Sequence, residues 1–334
     1  MTVIDNTFTT ASSKRNRETF ADIISNITPE ETPFFSMLSD DSQMVTGTHP
    51  EWSLDTIRAP VITNYQLEGD QYAYNAITAT SRVGNYTQIS RESYVVSRTQ
   101  EVVSKAGPKS ELGKERARAG IALRHDIECT MLSNNASLAG ATRHSAGMRA
   151  WLATNDSLGA TGTSGGFNSG TSVVDASGLG TQRTFTKTLM DDTIQATYQS
   201  GGNPTIMMCS PYIKRVFSTF MSDANVASQR MNTKATEQAT IVGAADAYLS
   251  DFGLLSVVPN RQMARTAAAI ARNVFFIDTS KVSKGFLTPI MEDKNTVSNA
   301  DATTAVLIAE WVLIVQNEAA HGVVADVFGL TAST

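Results

Sequence analysis

The chain has 334 residues, of which 41% are hydrophobic, and a formal net charge of −5 at neutral pH. That length fits two domains or one elaborate one. The acidic balance excludes a coat that binds nucleic acid chiefly by neutralising phosphates. Two cysteines exclude a disulfide framework, and the longest apolar run, 305–315, is broken by Glu310 and too short to span a bilayer.

Residues 1–47 read as an extended arm, rich in Thr, Ser and Asn at its start. No apolar stretch of a secretory signal precedes it, so a cytoplasmic location is expected. A short helix is expected over 17–27, with Phe20, Ile23, Ile24 and Ile27 on one side. Pro29 and Pro33 each bias the preceding residue away from helix. Phe34, Phe35, Met37 and Leu38 then form an apolar patch that must dock. Its receiver is the chain's own domain or a neighbouring subunit.

Residues 48–100 read as a strand-rich excursion with turn signals at Glu68-Gly69-Asp70 and Gly84-Asn85. Five of the eight tyrosines lie here (Tyr65, Tyr72, Tyr74, Tyr86 and Tyr94), while Leu and Ile are sparse. An isolated hairpin is marginal in water, and tyrosine suits interfaces. The segment therefore leans on another surface or forms the edge hairpin of a mixed sheet.

From Pro108 to about Asn134 the spacing predicts one long helix, a strut of ~40 Å or a surface helix on a single core. Pro108 suits its first turn, Ser104 or Ser110 its cap. Leu112, Ala119, Leu123, Ile127 and Met131 form the apolar stripe. Lys109, Lys114, Arg116, Arg118 and Arg124 lie mostly off it, as a solvated face or a binding patch. Cys129 in this helix and Cys209 in a later strand are expected to be buried thiols.

Residues 137–183 have loop composition, with a small ordered island over 145–153. An αβα unit follows over 184–222. Its first helix is closed by Gly201-Gly202, its strand is Thr205–Cys209, and its second helix opens at Ser210-Pro211. Residues 223–240 are polar. Strands are expected at 254–258, 274–277, 286–291 and 304–317, a small-residue turn or helix at 264–271, and a closing segment at 322–328. No internal repeat is present.

Chemistry is harder to find. Gly162-Thr163-Ser164-Gly165-Gly166 matches the nucleophile-elbow pattern, which needs a strand-to-helix turn, yet it sits in the loop-like stretch. The αβα unit has no glycine loop for a pyrophosphate. His49, His125, His144 and His321 show no ligand spacing. Asp191 and Asp192 are expected in the first turn of a helix, where they favour its dipole. Glu310 must pair or face water. No catalytic residue, cofactor or metal is expected.

Several stretches in order carry a resemblance. They are TPFFSML at 32–38, EWSLDTIRAP at 51–60, LEGDQ at 67–71 and NYTQISRESYVVSRTQEVVSKAG at 85–107. ELGKERARAGIALRHDIE at 111–128, NPTIMMCSPYIKRVFSTF at 203–220 and LIAEWVLIVQNEAAHGVV at 307–324 complete the set. In this order and spacing the chain resembles the major capsid proteins of tailed bacteriophages, with the Hong Kong 97-type fold. The resemblance covers nearly the whole chain and is weakest at 153–183.

It implies an α+β capsid fold. Residues 1–47 would be an N-terminal arm, 48–100 an extended β-hairpin loop, and 101–183 a spine helix and peripheral domain with a Gly/Ser-rich loop. Residues 184–265 would be an axial domain and 266–334 the closing strands of both. The implied role is structural, not enzymatic: self-assembly into hexamers and pentamers of an icosahedral head that encloses double-stranded DNA without sequence-specific binding. The implied partners are copies of itself, with portal, scaffold and decoration proteins, and no membrane. The particle would assemble in the host cytoplasm and the chain end in the virion. Some relatives join lysine to asparagine between subunits; the absence of lysine from 48–100 counts against the usual arrangement. The arm-like start favours a separate scaffold. Candidate intersubunit contacts are Phe34, Phe35, Leu38, Glu68, Tyr72, Tyr74, Tyr86, Arg116 and Arg118. Two alternatives remain: a nanocompartment shell of the same fold with an enzyme cargo, and a serine hydrolase centred on Ser164.

Overall fold

A computed structural model describes residues 28–72, 74–77, 79–103, 109–220, 246–293 and 301–333. The helix expected over 17–27, the Pro108 helix start and the polar stretch 223–240 lie outside them. In chain order, α1 (Pro33–Met37) and β1 (Ser39–Asp40) lead to β2 (Glu51–Leu54) and β3 (Ser81–Gly84), then β4 (Gln88–Ser97), α2 (Arg98–Val102) and the long α3 (Glu111–Leu132). Next come α4 (Met148–Trp151), β5 (Asp156–Ser157), β6 (Gly166–Asn168), β7 (Val173–Asp175), α5 (Lys187–Gln199), β8 (Ile206–Cys209) and α6 (Pro211–Phe220). The chain ends with β9 (Ala247–Ser250), β10 (Gly253–Pro259), α7 (Arg261–Thr266), α8 (Ala268–Ala271), β11 (Val274–Ile277), β12 (Val282–Asp293), β13 (Ala302–Val315) and β14 (Gly322–Val324).

Helix α3 is 22 residues long, ~33 Å at 1.5 Å per residue. Ser110 caps it by accepting the Gly113 N–H at 3.1 Å. The expected stripe is its buried face: Ala119, Leu123, Ile127 and Met131 are all buried. They pack toward a four-stranded sheet in the order β1-β12-β13-β4. In that sheet β12, β13 and β4 are antiparallel, with Ala302–Trp311 paired to Ser97–Gln88. Strand β12 runs from 282 to 293, well beyond the expected 286–291, because its ladder with β13 continues through two register shifts that its own apolar pattern does not show.

A second sheet of six strands runs β5-β14-β11-β8-β10-β9. Its period-two alternation divides two cores. Met208, Phe275 and Val323 face the core shared with α3 and α4. Met207, Phe276 and Val324 face a second core closed by Ile194 of α5 and Ile213 and Phe217 of α6. Both cysteines are buried free thiols, and burial pushes Cys209 up to about 12, which leaves it inert as a nucleophile.

Two expectations change. The Gly/Ser-rich stretch is not plain loop: β5 joins the six-stranded sheet, β6 and β7 form a hairpin, and Phe167 stacks on buried Trp151 with ring centroids 6.2 Å apart. Small residues permit this tight backbone packing; a Cβ on Gly165 would meet the carbonyl oxygen of Ala150 at 2.6 Å. Helix α5 starts at Lys187 with Thr186 as its cap, so Asp191 and Asp192 lie past its first turn. Asp191 instead accepts the Tyr248 hydroxyl at 2.8 Å.

Candidate intersubunit interface

The arm patch docks on the chain's own body. Phe34 and Leu38 are buried in the main core. Phe35 is half-buried, edge-on to Phe286 with centroids 6.2 Å apart, and the Lys284 ammonium lies 4.1 Å from its ring centroid. The holding group is Glu128, a fully buried carboxylate on α3. It accepts the N–H of Phe34 (2.9 Å), the N–H of Phe35 (2.5 Å) and the Asn260 side-chain amide (2.6 Å). Burial pushes its carboxyl above the usual range, while those donors pull it back. Downstream, β1 pairs in parallel with β12, and Ser42 Oγ accepts the Phe286 N–H at 2.9 Å. Of the two receivers open to this patch, the described chain uses its own core, and the side chains of Phe34 and Leu38 present no surface to a neighbour.

The excursion behaves differently. Its base is a short antiparallel pair, β2 with β3. That base is fastened to the body by Trp52, which donates to the Gln316 carbonyl at 3.1 Å and stacks on Trp151 at 5.7 Å. Asn85 donates to the Leu313 carbonyl (2.8 Å) and Ser145 Oγ (3.0 Å), and accepts the Ala146 N–H (2.9 Å). Gly84 is required there, since a Cβ would lie 2.9 Å from the Pro50 carbonyl oxygen. Tyr86 belongs to this base: it is half-buried and stacks on His49 at 4.1 Å.

Beyond the base, the described residues of 55–80 form no strand, so the expected hairpin is paired only at its root. The expected turn is present: Asp70 N–H reaches the Leu67 carbonyl at 3.2 Å, with Gly69 at φ +84°, a conformation that favours glycine at this turn position. Glu68 is exposed. Tyr72 is 86% exposed, Tyr74 94% and Ile77 96%. Ile57, Ile62, Tyr65 and Leu67 are exposed with them, and the strand-rich reading does not hold over these positions. Strand β4, by contrast, is integral to the four-stranded sheet.

Arg116 and Arg118 are both exposed on α3, but each has an acid. Arg116 pairs with Glu292 at 2.9 Å and Arg118 with Glu115 at 2.7 Å, so they read as a solvated, internally neutralised face. Glu310 bonds Arg143 and accepts the Thr87 hydroxyl at 2.7 Å, the structural ion pair its place in an apolar strand demands. Ser164 precedes strand β6, not a helix, and lacks the geometry of an elbow. Among the described residues no cluster of three or more His, Cys, Asp or Glu is placed to hold a metal.

Comparison with known proteins gives concordant matches. The profile of the SU10 major capsid protein family matches residues 3–328. A major capsid protein of Escherichia phage Phieco32 is 30% identical over 117 residues, which is 35% of this chain and 33% of that protein; the match spans about a third of that relative's length. Among solved structures, a chain of Gordonia phage Cozz aligns with a TM-score of 0.60 at 10% identity, covering 97% of this chain and 98% of that one. A chain of the Cyanophage A-1(L) capsid asymmetric unit aligns with a TM-score of 0.59 at 14% identity, covering 96% and 100%. At such identities the likeness establishes the fold, an α+β Hong Kong 97-type architecture.

Proposed function

The chain belongs to the SU10 major capsid protein family, and on that premise we propose that its copies close into the icosahedral wall of a phage head, through hexamers and pentamers. The observation that carries this reading is the excursion 55–80. It displays Ile57, Ile62, Tyr72, Tyr74 and Ile77 nearly fully to solvent while its root is fixed to the body. Apolar surface of that extent marks an interaction site. One limb of about 13 residues reaches ~40 Å when extended, far enough to cross an adjacent subunit. Each copy then gives its excursion to one neighbour and receives one from another, the head-to-tail contact that builds rings.

In this reading α3 and the four-stranded sheet make the peripheral part, and α5, α6 and the six-stranded sheet the axial part. The net charge of −5 suits a wall that encloses double-stranded DNA without gripping it. Tight retention of duplex DNA by purified shells at physiological salt would contradict that last point. Portal, scaffold and decoration proteins complete the particle in the virion. The test of the main reading is electron microscopy and sedimentation of the chain expressed alone and with a scaffold from the same genome. Rings or closed icosahedral particles are expected. A monomer that persists at high concentration under both conditions would overturn the reading.

A further inference from the structure

One buried charge is left without an account by the fold and the assembly reading alike. Arg149 sits on α4 with 2% of its surface exposed. A guanidinium carries five N–H donors. Among the described residues Arg149 makes one hydrogen bond, a long one from Nη1 to the Leu152 carbonyl at 3.4 Å. The buried carboxylate of Glu128, by comparison, has three donors. Leaving a buried charge without partners is strongly destabilising.

Its counter-charges are near but not in contact. Asp156 of β5 and Asp326, just past β14, both act on the Arg149 charge, yet neither forms an ion pair with it among the described residues. Asp156 Oδ2 is buried without a hydrogen-bond partner there, and so is Nε of Arg183, whose Nη2 donates to Ser157 Oγ at 2.8 Å. Asp326 is 2% exposed, and its Oδ2 accepts the Gly159 N–H at 3.0 Å. Ser164 lies beside Asp156: burial raises the Asp156 carboxyl, and Ser164 and Arg149 pull it back. Glycines let the Asp326 carboxylate lie against the backbone, since a Cβ on Gly180 would stand 2.7 Å from its Oδ2 and one on Gly162 3.3 Å. The set of two guanidinium groups and two carboxylates is neutral. An anion would be repelled by the carboxylates and a metal cation by the guanidinium groups. Water suits it, because buried water makes about three hydrogen bonds to polar groups that lack other partners.

We propose that Arg149, Asp156 and Asp326 form a binding site for an ordered water molecule, which accepts from the Arg149 guanidinium and donates to Asp156 Oδ2 and to the Asp326 carboxylate. The bridge ties the Gly/Ser-rich stretch to α4 and to the end of β14. It also gives Ser164 a place: its hydroxyl steadies the carboxylate that holds the water.

Nuclear magnetic resonance of the full-length unassembled subunit, with nitrogen-labelled arginine, tests this. A water held at the site gives a dipolar cross-peak between solvent and the Arg149 guanidinium protons, which are too buried to meet bulk water. Asp156→Leu removes an acceptor and should abolish that peak. Asp156→Asn keeps an acceptor oxygen and should retain it. A map at a resolution that shows solvent decides the matter even if Asp156→Leu does not fold: one solvent peak is expected within hydrogen-bond distance of both Arg149 and Asp156 Oδ2. A direct Arg149–Asp156 or Arg149–Asp326 ion pair with no solvent between would overturn the proposal. So would a cross-peak that Asp156→Leu leaves unchanged. Anomalous signal at the site after a bromide soak would also overturn it, because the ligand would then be an anion. None of these outcomes depends on shell formation, so the assembly reading stands or falls separately.

Discussion

Phe34 and Tyr74 are aromatic residues in segments that both resemble interface, and the structure places them in opposite environments. Phe34 is fully buried against the spine helix and Tyr74 is 94% exposed. Replacing a buried Phe by Ala costs about 3–5 kcal/mol, a large part of the about 5–15 kcal/mol that holds a domain folded. An exposed substitution changes stability by less than about 0.5 kcal/mol. Urea denaturation of the unassembled subunit measures both, followed by fluorescence of Trp52, Trp151 and Trp311, which are all buried. With a urea slope of about 2–3 kcal/mol/M, Phe34→Ala should lower the midpoint by roughly 1–2 M. Tyr74→Ala should leave the midpoint in place and raise the concentration needed for assembly. A Phe34→Ala subunit of unchanged stability that fails to assemble would refute the reasoning, because it would place residues 33–38 on a neighbour. By the same logic, removing residues 1–40 takes Phe34 and Leu38 out of the core and should unfold the subunit.

Glu128→Ala leaves the Phe34 N–H and the Asn260 amide buried without their acceptor, at a cost of about 1–3 kcal/mol each; faster hydrogen exchange over 29–38 than in β11 is the expected signature. His321 is buried, and desolvation lowers it to about 4 from 6.5. Its neutral form is favoured by folding, so its contribution is complete above pH 6.5 and is lost as pH falls toward 4, by about 3 kcal/mol in all. His321→Asn, which can still accept the Asp278 N–H, should flatten the pH dependence of the melting temperature across that interval. Arg143→Ala strands the half-buried Glu310 and should destabilise the subunit by about 1–3 kcal/mol; adding Glu310→Gln should recover part of that loss in the same denaturation assay.

Local pattern made much of this fold legible. The stripe Ala119, Leu123, Ile127, Met131 faces the core as its spacing requires, and VFFI at 274–277 is a buried central strand. Glu310 could be read as a paired acid from its apolar neighbours alone, though not that its partner is Arg143, 167 positions away. What stayed hidden depends on such distant partners. The receiver of Phe34 and Phe35 stayed open between the chain's own body and a neighbour because their acceptor, Glu128, lies more than 90 residues on in the sequence. Residues 156–183 looked like linker because composition cannot distinguish glycine used for flexibility from glycine used for close backbone packing. The excursion's sparse Leu and Ile showed that it has little core of its own, but its lack of strand pairing among the described residues of 55–80 was not legible, since Tyr and Thr favour strand only when another strand is there to receive them.

That dependence separates what one copy of the chain buries by itself from what it leaves exposed. Its two cores bury Phe34, Trp311, Phe275 and Phe217 without help from a neighbour, so a subunit can fold before it meets another. Ile57, Ile62, Tyr72, Tyr74 and Ile77 of the excursion stand outside both cores and are exposed. On the assembly reading proposed above, core substitutions are expected to move the denaturation midpoint, and substitutions at Tyr72, Tyr74 and Ile77 the assembly threshold. The root of the excursion at β2 and β3 is held to the body by Trp52 and Asn85. Loosening that root, for example by Asn85→Ala, should let the excursion sample more orientations. Assembly should then slow more than the loss of subunit stability accounts for; equal losses in the two would mean that the root has no orienting role.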